Sequence, residues 1–154
     1  MKKVLIASDH AGSDGKEAIK KTLEEMGVEY QDLGTNSPDS VDYPDYAERV
    51  AKGVASGEAE RGILVCGSGI GMEIAANKIP GVRAALAWNE ETAELARRHN
   101  DANIVAVGSR TTPQEMIDRI IRAFLTTDFE GGRHQRRIEK IKRLEEESIN
   151  RETK

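Results

Sequence analysis

The sequence predicts a three-layer α/β sandwich built on one five-stranded parallel sheet, and two observations carry that reading. Short apolar runs, KVLIAS, VEYQDL, RGILVC, RAALAW and NIVAVG, alternate with longer stretches of helical spacing. The longer stretches carry helix start and stop chemistry, so the rhythm is that of βαβ units. KVLIAS is the first strand, and the helix after it closes where Gly27 follows Met26, a left-handed cap position. VEYQDL is the second strand, and the polar GTNSPDSVDYPDY after it reads as a surface loop. RGILVC, the third, runs into the only cysteine and a glycine-rich turn. RAALAW is the fourth, followed by Asn89 as N-cap of EETAELARRH. NIVAVG is the fifth, and Thr112-Pro113-Gln114-Glu115 combines a capping box with proline at the first helical position. After Gly132 comes a long charged helix, about 132–148, with Ile138, Ile141 and Leu144 as a narrow apolar stripe. A flavodoxin-like strand order, 2-1-3-4-5, fits this series best. Without repeat, low-complexity tract or linker, residues 1–154 read as one domain.

Composition narrows the function. With 23 basic and 27 acidic residues among 154, and a formal charge of −4, no electrostatic footprint argues for nucleic acid or an anionic membrane. No apolar run approaches a membrane span or a signal-peptide core, so a cytoplasmic protein is expected. One cysteine cannot make an internal disulfide. His10, His99 and His134 lack any zinc spacing, and no metal is expected. Two cofactor fingerprints also fail: a P-loop would need lysine after the last glycine, where Met72 stands, and a GxGxxG run from Gly67 would need glycine at that same position.

In such sheets ligands bind beyond the carboxyl ends of the strands, at the switch point between strands 1 and 3. Strand 1 ends in Ser8-Asp9-His10-Ala11-Gly12, and strand 3 in Cys66-Gly67-Ser68-Gly69-Ile70-Gly71. Each residue alone has an ordinary explanation: Cys66 as a buried strand-end residue, Asp9 as a turn former, the glycines as a tight turn. Their coincidence at a switch point favours a site. Bare backbone at Gly67, Gly69 and Gly71 lets amides face an oxyanion or phosphate oxygen, and Cys66 beside them is expected to have a lowered thiol pKa and to act as base or nucleophile.

The segment EGGRHQRRIEK raises a second point. Arg133, Arg136 and Arg137 crowd a helix start, where the macrodipole disfavours cations, and an anionic ligand would relieve the conflict. Arg133 and Arg137, four apart, share a face suited to gripping one phosphate. A solvated basic face, or pairing with the acidic DSVDYPD segment, explains the spacing equally well; Arg110, past strand 5, adds weight to phosphate.

The set SDHAG, CGSGIGMEIAANK, RHND, GSR and EGGRHQRR resembles the ribose-5-phosphate isomerase B (RpiB/LacAB) family of sugar-phosphate isomerases, in order and over nearly the whole chain. The resemblance implies cofactor-free interconversion of ribose 5-phosphate and ribulose 5-phosphate, a step of the pentose phosphate pathway, in a homodimer whose sites draw on both subunits, with a tetramer left open. It implies Cys66 as base, His99 as the acid that opens the sugar ring, and Gly67, Ser68, Gly69, Ile70 and Gly71 as the loop that stabilises the enediolate. It also implies Asp9, His10 and Asn100 as substrate contacts and Arg110, Arg133 and Arg137 as phosphate ligands. Ser68 stands where many members have threonine, which keeps the hydroxyl. A branch of the family places a glutamate base where this chain has Met72; Glu73 is one residue off, about 100° around the helix, and is expected to be an ordinary polar residue.

Topology adds an expectation of its own. His99 closes the helix after strand 4, near the amino ends of a parallel sheet, whereas Cys66 lies at a carboxyl end. A ten-residue helix is about 15 Å long, too far for one chain to bring both groups to one small sugar. Either His99 is an ordinary helix-end histidine or it serves a neighbour's site; the resemblance favours the neighbour. Two other readings remain: an isomerase of six-carbon phosphates such as allose or galactose 6-phosphate, and a non-catalytic module binding a small phosphate. A redox or phosphatase role is weaker, because Cys66 has no resolving partner and no phosphatase-type loop.

Overall fold

A computed structural model describes residues 3–152; the first two and last two residues of the 1–154 domain lie outside it. The elements are β1 (Val4–Ser8), α1 (Ser13–Glu25), β2 (Tyr30–Asp32), α2 (Tyr43–Ala55), β3 (Arg61–Cys66), α3 (Ile70–Ala76), β4 (Ala84–Leu86), α4 (Glu90–Arg98), β5 (Ile104–Gly108), α5 (Gln114–Thr126) and α6 (Arg133–Glu152). All strand pairings are parallel, and the sheet runs β2-β1-β3-β5-β4.

The five-stranded α/β sandwich is the expected one, with one correction: β5 lies inside the sheet and β4 at its edge, so the order is 2-1-3-5-4 instead of 2-1-3-4-5. The reason is burial. IVAVG is buried at every position, as an interior strand covered on both faces must be, whereas Ala84–Leu86 is three residues long and only half-buried throughout.

Strand alternation divides the core in two. Val4, Ile6, Ile63, Val65, Val105 and Val107 face α1, α4 and α5, meeting Ile19, Leu23, Ile120 and Phe124. Leu5, Ala7, Leu64, Cys66, Ile104 and Ala106 face α2 and α3, meeting Val50, Met72 and Ala76. Cys66 is therefore both the last residue of a central strand and a member of the second core, which fixes its Cα before any chemistry is asked of it.

Local signals fare unevenly. Asn89 caps α4 reciprocally with Thr92, and Gly27 follows α1 with φ 69°. At α5 the expected capping box is absent: Pro113 itself occupies the N-cap without a side-chain bond, and Thr112 is buried with its N–H on Gly108 O. The predicted loop 34–46 is also too long, because Tyr43 already begins α2 with Pro44 in the first turn, where its missing N–H costs nothing. Of the α6 stripe, Ile138 is buried while Ile141 and Leu144 are exposed. Among the described residues no helix is long and apolar enough to cross a membrane.

Candidate active site

A cleft of about 610 Å³ opens at the carboxyl ends of β1, β3 and β5, lined by Asp9, His10, Tyr43, Cys66, Gly67, Ser68, Ile70, Gly71 and Arg110 among others. The sheet register explains the convergence: Ser8 pairs with Val65, and Cys66 with Gly108, so three strands end at one level and release their loops together.

Asp9 performs two tasks. Its Oδ1 accepts the Gly12 N–H at 2.9 Å and so closes the turn into α1, while the nearly buried side chain lines the cleft. His10 Nδ1 accepts the Val41 N–H at 3.2 Å. A neutral imidazole accepting through Nδ1 carries its proton on Nε2, so His10 is set as an Nε2 donor.

Val41 is held in place from behind. The fully buried Lys16 donates to Asp32 Oδ1 at 2.9 Å, to Thr35 O at 2.6 Å and to Asn36 Oδ1 at 2.8 Å, tying down the loop that carries Val41. Burial opposes ionisation of Asp32, yet hydrogen bonds from Gly34 N–H, Lys16 and Lys20 hold its carboxyl below the ordinary value.

Cys66 is 5% exposed, and the Gly69 N–H points at its Sγ from 3.1 Å. Ile70 N donates to Ser68 Oγ at 3.2 Å, so the Gly69 and Ile70 amides, expected to face an oxyanion, are engaged by the side chains of Cys66 and Ser68. Gly71 opens the cleft in another way: a Cβ there would stand 2.5 Å from Tyr43 Cζ, so glycine is what lets Tyr43 lie over the loop. Gly69 has φ 81°, and a Cβ would sit 2.6 Å from Leu86 Cδ1 and 2.9 Å from Val107 C. Gly69→Ala is therefore expected to lose about 1–2 kcal/mol from the left-handed backbone alone, more with the clash, measured by urea unfolding. A variant as stable as the parent would show that the loop has another path.

Glu73 points away from this chemistry. Its Oε2 accepts the Leu86 N–H, bracing the edge strand β4, in keeping with the expectation of a structural polar residue.

The remaining predicted residues are elsewhere. His99 is the C-cap of α4, and the chain then turns through Asn100 and Asp101 into the amino end of β5. From Ile104 to Gly108, which pairs with Cys66, the strand alone spans about 13 Å. Asn100 lines a separate cleft of about 930 Å³ together with Trp88, Leu95, Ile141 and Ile149. Arg133 and Arg137 belong to the first turns of α6, on the His99 side, where His134 stacks on His99 with ring centroids 4.2 Å apart. The structure thus brings together Asp9, His10, Cys66, Gly67, Ser68, Gly69, Ile70, Gly71 and Arg110, and leaves His99, Asn100, Arg133 and Arg137 as a second group.

That second group is rigidly mounted. Arg97, almost buried, bonds Thr127 O, Asp101 Oδ1 and Ala102 O, while Arg83 holds Asn100 O at 3.0 Å. Burial, then the neighbouring His99 and Arg133, hold the pKa of His134 below its ordinary value.

Sequence reasoning missed Tyr43 and Thr111 as cleft residues, and also missed the closeness of His99, Glu130 and His134. Tyr43 was legible only as part of an acidic loop; nothing local places it over Gly71.

Comparison with known proteins follows the same lines. The profile of the ribose/galactose isomerase family matches residues 4–141. Ribose-5-phosphate isomerase B of Escherichia coli is 47% identical over 95% of this chain and 98% of that one. The structure of type B ribose 5-phosphate isomerase from Trypanosoma brucei superposes with TM-score 0.91 at 52% identity, covering 94% of this chain and 99% of the other. Ribose-5-phosphate isomerase B from Mycoplasma genitalium, solved with bound ribulose-5-phosphate, gives TM-score 0.91 at 46% identity over 94% and 97% of the two chains.

Proposed function

The chain belongs to the ribose/galactose isomerase family, and from that premise we propose that it interconverts ribose 5-phosphate and ribulose 5-phosphate through an enediolate. It is a sugar-phosphate isomerase; the choice of pentose rests on similarity to the Mycoplasma genitalium protein solved with ribulose-5-phosphate. The observation that carries the chemistry is the cleft itself, where a thiol, a glycine loop and an imidazole donor meet.

Aldose–ketose isomerisation moves one proton from C2 to C1 and one from O2 to O1. It needs a base over the carbons and donors for the oxygen that becomes an oxyanion. In this proposal Cys66 Sγ takes the C2 proton and returns it to C1. The 67–71 loop stabilises the enediolate with the Ser68 hydroxyl and its backbone N–H groups, the Gly69 and Ile70 amides turning from Cys66 Sγ and Ser68 Oγ toward the substrate. Asp9, His10 and Asn100 hold the sugar hydroxyls. His99 protonates the ring oxygen as its bond to C1 breaks and the C1 hydroxyl gives up its proton to solvent, opening the furanose to the aldehyde, and Arg110, Arg133 and Arg137 hold the phosphate, whose binding energy positions the reacting carbons. No metal or organic cofactor has a step in this scheme.

Residues 1–154 then form one isomerase domain acting in the cytoplasm on a small sugar phosphate, with no nucleic-acid or membrane partner. Two groups of site residues at opposite ends of the strands call for two chains, so the working form is a homodimer in which each site takes His99, Asn100, Arg133 and Arg137 from the partner. Exposed Ile70, Ile74, Trp88, Ile141 and Leu144 supply apolar surface for that contact.

The test is a coupled assay of the purified protein on ribose 5-phosphate, allose 6-phosphate and galactose 6-phosphate. Highest kcat/KM on ribose 5-phosphate is expected; preference for a six-carbon substrate would move the assignment within the family, and no turnover on any would leave a phosphate-binding module. Arg133→Ala or Arg137→Ala is expected to weaken substrate binding by roughly 10- to 150-fold, the equivalent of about 1.5–3 kcal/mol for a charge-assisted hydrogen bond. Inorganic phosphate should compete with substrate in the parent protein and lose potency in these variants. Unchanged KM and unchanged phosphate inhibition would show the arginines to be a solvated face.

A further inference from the structure

His99, Glu130 and His134 come from three segments, and one ligand-capable atom of each lies within 4.8 Å of the other two. His99 Nε2 and Glu130 Oε1 are 3.5 Å apart. The two imidazoles stack with an interplanar angle of 11°, so their in-plane lone pairs run parallel and the half-exposed His99 ring has to swing off the stack for both nitrogens to reach one ion. We propose that this cluster is a binding site for a borderline-soft divalent cation of the zinc or cobalt(II) kind, and that occupancy holds the enzyme inactive by taking the His99 imidazole.

The donor set argues for that class of metal. Two imidazoles and one carboxylate suit zinc and its late first-row neighbours, whereas magnesium and calcium need more oxygen. Three protein ligands leave a fourth position open, the pattern of zinc sites that exchange a ligand. Bond lengths near 2.0–2.1 Å in a tetrahedral site put neighbouring ligand atoms about 3.3 Å apart. The His99–Glu130 pair is already close to that separation. Spacings within 4.8 Å have to close by no more than about 1.5 Å, within reach of side-chain rotation for half-exposed His99 and exposed Glu130.

The backbone beneath the ligands is tied. Glu130 N donates to Arg98 O at 3.1 Å, His134 N to Gly131 O at 3.1 Å, and His99 N to Leu95 O at 2.9 Å. Gly131 and Gly132, with φ 72° and 56°, make the bend that returns α6 against the end of α4. Arg133 and Arg137 oppose a dication electrostatically. Arg98 is partly neutralised by Glu94 at 3.4 Å. Binding is therefore expected to be reversible and to compete with chelators, as suits an inhibitory site more than a structural one. The inhibition, unlike the binding, rests on His99 being the ring-opening acid of the proposed reaction.

The experiment titrates cobalt(II) into the purified full-length protein and follows the visible absorption of the tetrahedral ion, then repeats isomerase assays with zinc. One ion per chain is expected, with nitrogen–oxygen ligation. Glu130→Gln, a surface change, and His134→Asn should each cut affinity at least about tenfold, the scale on which even outer-shell partners act. Without metal Glu130→Gln should turn over normally, and its turnover should resist zinc that stops the parent. A thiolate charge-transfer band would place the ion on Cys66 and overturn the site, as would affinity or zinc inhibition indifferent to Glu130→Gln. Binding that depends on Glu130 but leaves turnover untouched would uphold the site and overturn the inhibition, and with it the assignment of His99.

Discussion

Cys66→Ala is expected to lower kcat by about 10²–10⁴-fold, the usual contribution of a positioned base, with the fold intact. Cys66 sits in the core cluster with Leu64, Ala106 and Met72, so losing the sulfur leaves a roughly methyl-sized void at a cost of about 1 kcal/mol. Cys66→Ser is the sharper variant, because its hydroxyl can still accept the Gly69 N–H yet is a far poorer proton acceptor near neutral pH. Turnover measured beside circular dichroism and a thermal melt separates chemistry from folding. Near-normal turnover in either variant would remove Sγ from the reaction and turn attention to Glu73. That residue has a prior commitment to Leu86 N–H, which glutamine can also satisfy through its amide oxygen, so Glu73→Gln should retain both fold and activity.

What was legible in the sequence was whatever one segment could state alone. Cys66 and its glycines, and Asp9 with His10, are contiguous in the chain, and parallel strands end together, so their meeting follows from topology. The position of β4 was not contiguous information: pairing with β5 on one side only is a tertiary fact, although the alanines of RAALAW, against the branched side chains of NIVAVG, carried a hint of an edge. Pro113 at a cap shows the limit of motif matching, since a Thr-Pro-Gln-Glu string satisfies the pattern while the buried Thr112 is spent elsewhere. The same limit hid Tyr43 over Gly71, Val41 on His10, and His99 beside Glu130 and His134. Each joins segments separated by about thirty residues, and no periodicity or spacing rule spans that gap.

Mixing Cys66→Ala and His99→Ala proteins, each inactive alone, is expected to restore activity once their subunits exchange. The geometry behind this is the separation of the two residues along β5: Cys66 pairs with Gly108 at its carboxyl end, and the turn after His99 enters at its amino end. If each site takes Cys66 from one chain and His99 from the other, a mixed dimer holds one site with both residues intact and one with neither. Equal mixing makes half the dimers mixed, so recovered activity should approach about a quarter of the parent level for a twofold dimer. Were both residues to serve a site within one chain, no combination would hold an intact pair and the mixture would stay inactive. Exchange must be established separately, by mass measurement of differently tagged subunits, because a mixture that exchanges and remains inactive refutes the shared site, whereas recovery near a quarter is hard to obtain by any arrangement that keeps Cys66 and His99 in the same chain.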